Sequence, residues 1–243
     1  MQADRLRREG GKIPGNSAEA AAPIFAVNVP AAHRVVAIDG PAASGKSSVA
    51  RELAKKIGFD YVNSGAMYRA VTWHVLQNAI SPGDGDAIAH LLETSRIDCD
   101  LGDDGSRILI DGVDPAEHLR DDRVNDEVSL VSSVLRVREI LVAKMRAYAS
   151  DRDVVMEGRD IGSVVFPETP YKFYIDASPE VRLRRRIAQG QRDQIAARDH
   201  ADSARRASPL VIAEDAHVID SSNLTIEGVV GEIIGRLKGM IDN

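Results

Sequence analysis

The chain has 243 residues, 44% hydrophobic and 28% charged, with a formal net charge of −6; such proportions suit a soluble globular protein long enough for one sizeable α/β domain with an insertion. The acidic total argues against a non-specific nucleic-acid binder, which needs a basic footprint, and no apolar run approaches the ~20 residues that span a bilayer. The single cysteine, Cys99, excludes an internal disulfide, fits a reducing compartment such as the cytoplasm, and reads as a small apolar filler.

Residues 1–33 mix Arg5, Arg7 and Arg8 with Asp4, Glu9 and Glu19 and run through Gly10-Gly11 and Pro14-Gly15. A transit peptide is poor in acids and a secretory signal carries an apolar core, so this composition predicts a flexible tail. Val35-Val36-Ala37-Ile38 is then an apolar strand. It runs through Asp39 into Gly40-Pro41-Ala42-Ala43-Ser44-Gly45-Lys46-Ser47-Ser48, a G-x-x-x-x-G-K-S string. A helical pattern follows at once, with Val49, Leu53 and Ile57 on one face and Gly58 as its stop. Strand, glycine-bearing turn and helix in that order make a phosphate-binding loop. Its N–H groups and the helix N-terminus suit a polyphosphate, Lys46 reaches the outer phosphates and Ser47 is placed to ligate Mg²⁺. A nucleoside triphosphate is the expected ligand. Asp39 either orients metal-bound water or hydrogen-bonds the loop backbone, the second being the favoured role.

Asn63-Ser64-Gly65-Ala66-Met67-Tyr68-Arg69 leads into a helix predicted over Ala66 to Ala79. Ser64 and Arg69 flank its start, in the crevice where open α/β sheets collect ligands; a helix N-cap and a solvated arginine are the plain alternative. The stretch 81–125 breaks the alternation of strand and helix. Arg96 to Leu101 and Arg107 to Asp111 flank Gly102-Asp103-Asp104-Gly105, a hairpin signal that predicts an inserted subdomain. Ser129 precedes Arg136-Val137-Arg138-Glu139, on a helix whose Val137, Ile140, Leu141, Met145 and Tyr148 share a face; two solvated arginines are the default for such a pair. Asp153 to Glu157 and Lys172 to Asp176 read as buried strands. Glu157-Gly158-Arg159-Asp160, at the carboxyl end of the first, either faces the crevice or closes a salt-bridged turn. A helix over Val181 to Ala188 is given Leu183 and Ile187 as its apolar stripe. The arginines from Arg182 to Arg206 divide between a solvated face and a clamp on transferring phosphates. His217 to Asp220 is the last strand, and Ile226 to Leu237 an amphipathic closing helix. The six histidines show no metal-ligand spacing. The alternation as a whole predicts an α/β parallel sheet.

In combination, Ile38-Asp39-Gly40-Pro41 with Gly45-Lys46-Ser47, the Asn63 to Arg69 segment, and Glu157-Gly158-Arg159-Asp160 with Ile161 to Pro167 resemble the bacterial cytidylate kinases, members of the P-loop nucleoside monophosphate (NMP) kinase family. The resemblance covers Val35 to Leu237. It implies the P-loop NMP-kinase fold within 34–243: a five-stranded parallel sheet flanked by helices, an NMP-binding insert over 81–125 with a small antiparallel sheet, and a short lid over 186–204. It implies transfer of the γ-phosphate of ATP to CMP or dCMP with Mg²⁺, in a cytoplasmic monomer with no nucleic-acid or membrane partner. Lys46, Arg159 and Arg205 look catalytic. Ser64, Arg69, Arg159 and Arg205 look like the clamp on the CMP phosphate, Ser129, Arg138 and Asp160 like the cytosine readers, and Arg198 and Asp202 like ribose and phosphate contacts near the lid. That lid is shorter than is usual in the family, with Ala201 and Ser203 where members often carry basic residues. Other readings are a thymidylate-, adenylate- or shikimate-type kinase, or a nucleotide switch or silent binding module. The hairpin insert and the Ser129, Arg138 and Asp160 set favour the cytidylate reading, and no N-K-x-D string supports a guanine switch.

Overall fold

The computed structural model describes residues 33–102, 105–188, 199 and 210–241. The tail before residue 33, most of the expected lid, and the site candidates Arg198, Asp202 and Arg205 lie outside the described residues.

Five strands, β1 (Val35–Asp39), β2 (Asp60–Asn63), β5 (Val154–Gly158), β6 (Lys172–Asp176) and β7 (His217–Asp220), form one sheet in the order β2-β5-β1-β6-β7. Every neighbouring pair is parallel. The expected five-stranded parallel sheet is therefore present. Its register matters for the site: Asp39 lies beside Gly158 on one flank and Tyr174 on the other, and Asn63 lies beside Glu157. The carboxyl ends of β1, β2 and β5 are thus level, and the turns that leave them share one edge.

Strand side chains alternate between faces. Val36 and Ile38 of β1 and Val155 of β5 join Leu53, Phe173, Val230 and Ile233 in a core under α1 (Lys46–Ile57) and the closing helix α7 (Ile226–Ile241). Val35, Ala37, Val154 and Met156 point to the opposite core, under α2 (Ser64–Gln77), α3 (Gly85–Thr94) and α5 (Leu135–Tyr148). The predicted hairpin is β3 (Ile97–Gly102) and β4 (Gly105–Ile110), paired antiparallel. Ile97, Ile108 and Ile110 belong to that second core, so the inserted stretch is packed onto the sheet through a shared apolar layer. Cys99 is packed against it, and burial pushes its thiol up to about 11.

Two helices in or near the insert were not expected from sequence. α3 is capped by Asp84, whose Oδ1 accepts from the Ala87 N–H at 3.0 Å. α4 (Asp122–Val131) begins with a polar run and buries only Val124, Asn125, Val128 and Val131. Between hairpin and α4, a short turn at Ala116–His118 is held to α2 by stacking of His118 on Trp73, with centroids 5.9 Å apart and planes 9° from parallel.

The helix after β6 reverses its expected faces. On α6 (Pro179–Ala188), Leu183 and Ile187 are exposed, 53% and 65%, while Arg186 is buried. The arginines turn inward because the backbone carbonyls beside them are the better partners, as the site makes plain.

Candidate active site

The turn out of β1 has no room for a side chain at its first residue. A Cβ on Gly40 would lie 2.1 Å from the Ile175 carbonyl oxygen, and Gly40 has φ +151°. Gly45, at φ +94°, caps α1. Lys46 is the first residue of the helix, buried, with Nζ donating to the Pro41 carbonyl at 3.0 Å. The ammonium thus sits folded over the loop's concave side. Ser47 and Ser48, one and two residues on, are exposed.

Asp39 is buried below the loop. Its two oxygens accept the N–H groups of Ile161 and Gly162, at 2.9 and 2.8 Å. These start the π-helical turn Ile161–Val165. Asp39 therefore fixes the turn after β5 instead of the phosphate loop's own backbone. Burial pushes its carboxyl up to about 7, against the pull of those two donors and of Lys46.

Arginines of α6 hold the loop from outside. Arg182 donates to the carbonyls of Ala42 and Ala177, both at 3.2 Å, and pairs with Asp199. Asp199 in turn accepts the Ala42 N–H at 3.1 Å. Arg185 donates to the Ser44 carbonyl at 3.0 Å and to the Ser221 carbonyl at 2.8 Å. Each guanidinium fork joins one carbonyl of the phosphate loop to one of a neighbouring turn, which is why α6 faces inward with its charge.

On the other side of the cleft, the cap of α2 is Asn63, whose Oδ1 accepts the Ala66 N–H at 3.0 Å. Ser64 is released from capping; its hydroxyl donates to the Glu157 carbonyl at 2.7 Å. Arg69 reaches back to the Gly65 carbonyl at 3.0 Å, and Arg159 lies at the end of β5 against the Gly158 carbonyl at 3.4 Å. The two arginines of the Arg136–Arg138 pair differ. Arg136 is exposed and pairs with Glu139 at 3.2 Å. Arg138 is fully buried, which overturns the default of a solvated pair; it donates to Asp160 and to the Ser132 carbonyl, and lies over the Tyr68 ring.

A cleft of about 750 Å³ runs between these two sides. Its wall includes residues 42–48 of the loop and all six described acceptor-side candidates, Ser64, Arg69, Ser129, Arg138, Arg159 and Asp160. Gly40 and Pro41, among the expected donor-binding residues, are not part of that wall. Sequence reasoning missed Arg120 and Asn125, which also line the cleft, because they fall in the insert outside any motif. It also missed the clasp of Arg185 with Ser221, whose hydroxyl donates to the Ser44 carbonyl at 2.8 Å.

The family model described as cytidylate kinase matches residues 36–239. The cytidylate kinase of Caldanaerobacter subterraneus subsp. tengcongensis is 44% identical over 214 residues, covering 84% of this chain and 94% of that protein. That of Rhodococcus opacus is 44% identical over 214 residues, covering 82% of this chain and 93% of that protein. That of Mycobacterium avium is 43% identical over 219 residues, covering 85% of this chain and 94% of that protein. The matched stretch begins in β1 and ends in α7, so it takes in both sides of the cleft, and the chain belongs to the cytidylate kinase family.

Proposed function

We propose that this chain transfers the γ-phosphate of ATP to CMP or dCMP, giving ADP and CDP or dCDP. The observation that carries the reading is the buried Arg138–Asp160 pair in the same cleft as the phosphate loop. Phosphoryl transfer needs little covalent help from a protein, so positioning and charge neutralisation dominate. The loop amides and Lys46 hold the donor. Ser64, Arg69 and Arg159 gather the acceptor phosphate from the ends of β2 and β5; Arg198, Asp202 and Arg205, which the family resemblance adds to this set, lie outside the described residues. Two anions are thereby brought together against arginines whose forks take phosphate oxygens in pairs.

Mg²⁺ fits this donor set. It takes oxygen ligands, keeps several waters, and is commonly held through substrate phosphates and one or two protein oxygens. The exposed Ser47 hydroxyl on the cleft wall is such an oxygen. When bound, the ion neutralises charge on the phosphates. The rest of the reading is a cytoplasmic monomer that takes ATP and CMP or dCMP and no nucleic acid; the single cysteine and the acidic total support it. Among the described residues no helix is long and apolar enough to cross a membrane.

Base choice follows from donor and acceptor polarity. Cytosine offers a 4-amino donor and acceptors at N3 and O2. Asp160 accepts from the amino group, while Arg138 and Ser129 donate to the acceptors. Arg138 Nε, buried with no partner, has a donor to spare. Uracil turns O4 toward the carboxylate and leaves buried groups unmatched, at about 1–3 kcal/mol each. A coupled assay across CMP, dCMP, UMP, AMP and dTMP is therefore expected to give CMP or dCMP the highest kcat/KM, with UMP at least about tenfold lower. Equal rates with UMP, or a higher rate with AMP or dTMP, would reject the assignment.

A further inference from the structure

Asn125, one of the residues that line the cleft, carries a buried acceptor without a partner. Asn125 is 6% exposed, on α4, and its Oδ1 has no hydrogen-bond partner. Its Nδ2 donates to the Arg120 carbonyl at 2.8 Å. That bond fixes the amide, since flipping it would set two oxygens against each other. An unmatched acceptor at such burial is costly, and a donor that arrives with a ligand would satisfy it.

The helix says which part of the ligand. Asn125, Val128 and Ser129, with Ser132 at the C-cap, are spaced by three and four residues along one face of α4, and all line the cleft. The Ser132 carbonyl accepts from Arg138, and Arg138 is paired with Asp160. The residues that gather phosphate come instead from the start of α2 and the end of β5. The α4 stripe therefore borders the base end of the cleft. A cytosine 4-amino group carries two N–H bonds and needs two acceptors for full pairing. Asp160, already engaged by Arg138, supplies one.

We propose that Asn125 Oδ1 accepts the second N–H of the cytosine 4-amino group, which makes Asn125 a specificity-determining residue. This rests on the cytidylate reading above. Asn125 then rewards an amino group where Arg138 and Ser129 read the ring acceptors, and it offers uracil O4 a lone pair in place of a donor.

The test is kcat/KM for CMP, N4-methyl-CMP, dCMP and UMP with the wild-type chain and with Asn125→Ala and Asn125→Asp. Asn125→Ala is expected to lower kcat/KM for CMP about tenfold while UMP is unchanged, so that the CMP-to-UMP preference narrows by the same factor. N4-methyl-CMP has one N–H, so the wild type should disfavour it and Asn125→Ala should add little further loss. Asn125→Asp keeps an acceptor, so it should hold the CMP-to-UMP preference nearer the wild type than Ala does. Turnover of UMP also reports that each variant is folded. Equal losses on every nucleotide, or an Asp variant as damaged as Ala, would make Asn125 only an anchor for the Arg120 carbonyl and overturn the proposal. A change confined to the CMP-to-dCMP ratio would assign the contact to the ribose hydroxyl and overturn it likewise. A wild type that prefers CMP, with a preference that survives Asn125→Ala, rejects this assignment alone; a wild type indifferent between CMP and UMP rejects the cytidylate reading and this with it.

Discussion

Lys46 and Asp39 are seven residues apart, both buried at the mouth of β1, and they ask for opposite tests. Lys46 Nζ rests on the Pro41 carbonyl, a contact that a polyphosphate oxygen readily replaces. Asn, Gln or Ala at this position removes the one cation the loop itself carries. Lys46→Ala is expected to lower kcat by roughly 10²–10³, the usual loss when a charge-stabilising donor is deleted, with the urea midpoint little changed; near-normal turnover would show that the loop does not act through Lys46. Asp39 affects stability. Its folded carboxyl is pushed up to about 7, above the unfolded value of about 4, so between those values the folded chain binds the proton more tightly. The linkage sign is then negative: this group's contribution falls as pH rises from about 4 through about 7, and is level above. Urea titrations across that window should show a shallower pH slope for Asp39→Asn than for the wild type. Identical slopes would mean that Asp39 does not titrate there.

Elements were legible in sequence wherever burial is on both faces or alternation is strict. β1, β5 and β6 are almost unbroken apolar runs, β6 and β7 fall on their predicted residues, and the glycine-bearing hairpin lies where the turn chemistry put it. α3 and α4 were not legible. Their stripes are short, Ile88 and Leu92 in one and Val124, Val128 and Val131 in the other, and acidic residues crowd both starts. The faces of α6 were misread because periodicity weighs apolarity alone. Arg182 and Arg185 find loop carbonyls, and hydrogen bonds to a charged group outweigh the burial of two aliphatic side chains. Of the site, the phosphate loop and the Glu157 to Asp160 cluster were legible as strings, whereas Asn125 has no motif and is marked only by its missing donor. The end of β5 gives an element-scale test. A Cβ on Gly158 would lie 2.6 Å from the Ser64 hydroxyl and 2.7 Å from Ile161. Gly158→Ala should therefore displace Ser64, raising KM for CMP several-fold with KM for ATP near the wild type, and destabilise the chain by about 1–3 kcal/mol. Unchanged KM for CMP would separate Ser64 from acceptor binding.

At the scale of the whole molecule, charge is segregated. The chain is acidic overall at −6, yet one lysine and seven arginines line the cleft against two carboxylates. Field lines from such a cleft concentrate anionic substrates there. The two apolar cores meet through the sheet, so the donor and acceptor sides are built on one layer.

The acceptor side carries its own optical label. Trp73 is the only tryptophan in the chain, and its ring is stacked on His118. The neighbours of His118, Ala116, Leu119 and Arg120, line the acceptor side of the cleft. Intrinsic fluorescence therefore reads a single ring stacked beside that wall. Saturating CMP is expected to change the Trp73 emission, and ATP alone to leave it nearly constant; His118→Ala should abolish the CMP signal while turnover persists. A CMP-insensitive emission in the wild type would show that acceptor binding leaves the Trp73–His118 stack unchanged. In stopped flow, the same ring would time acceptor binding separately from phosphoryl transfer, with no dye attached.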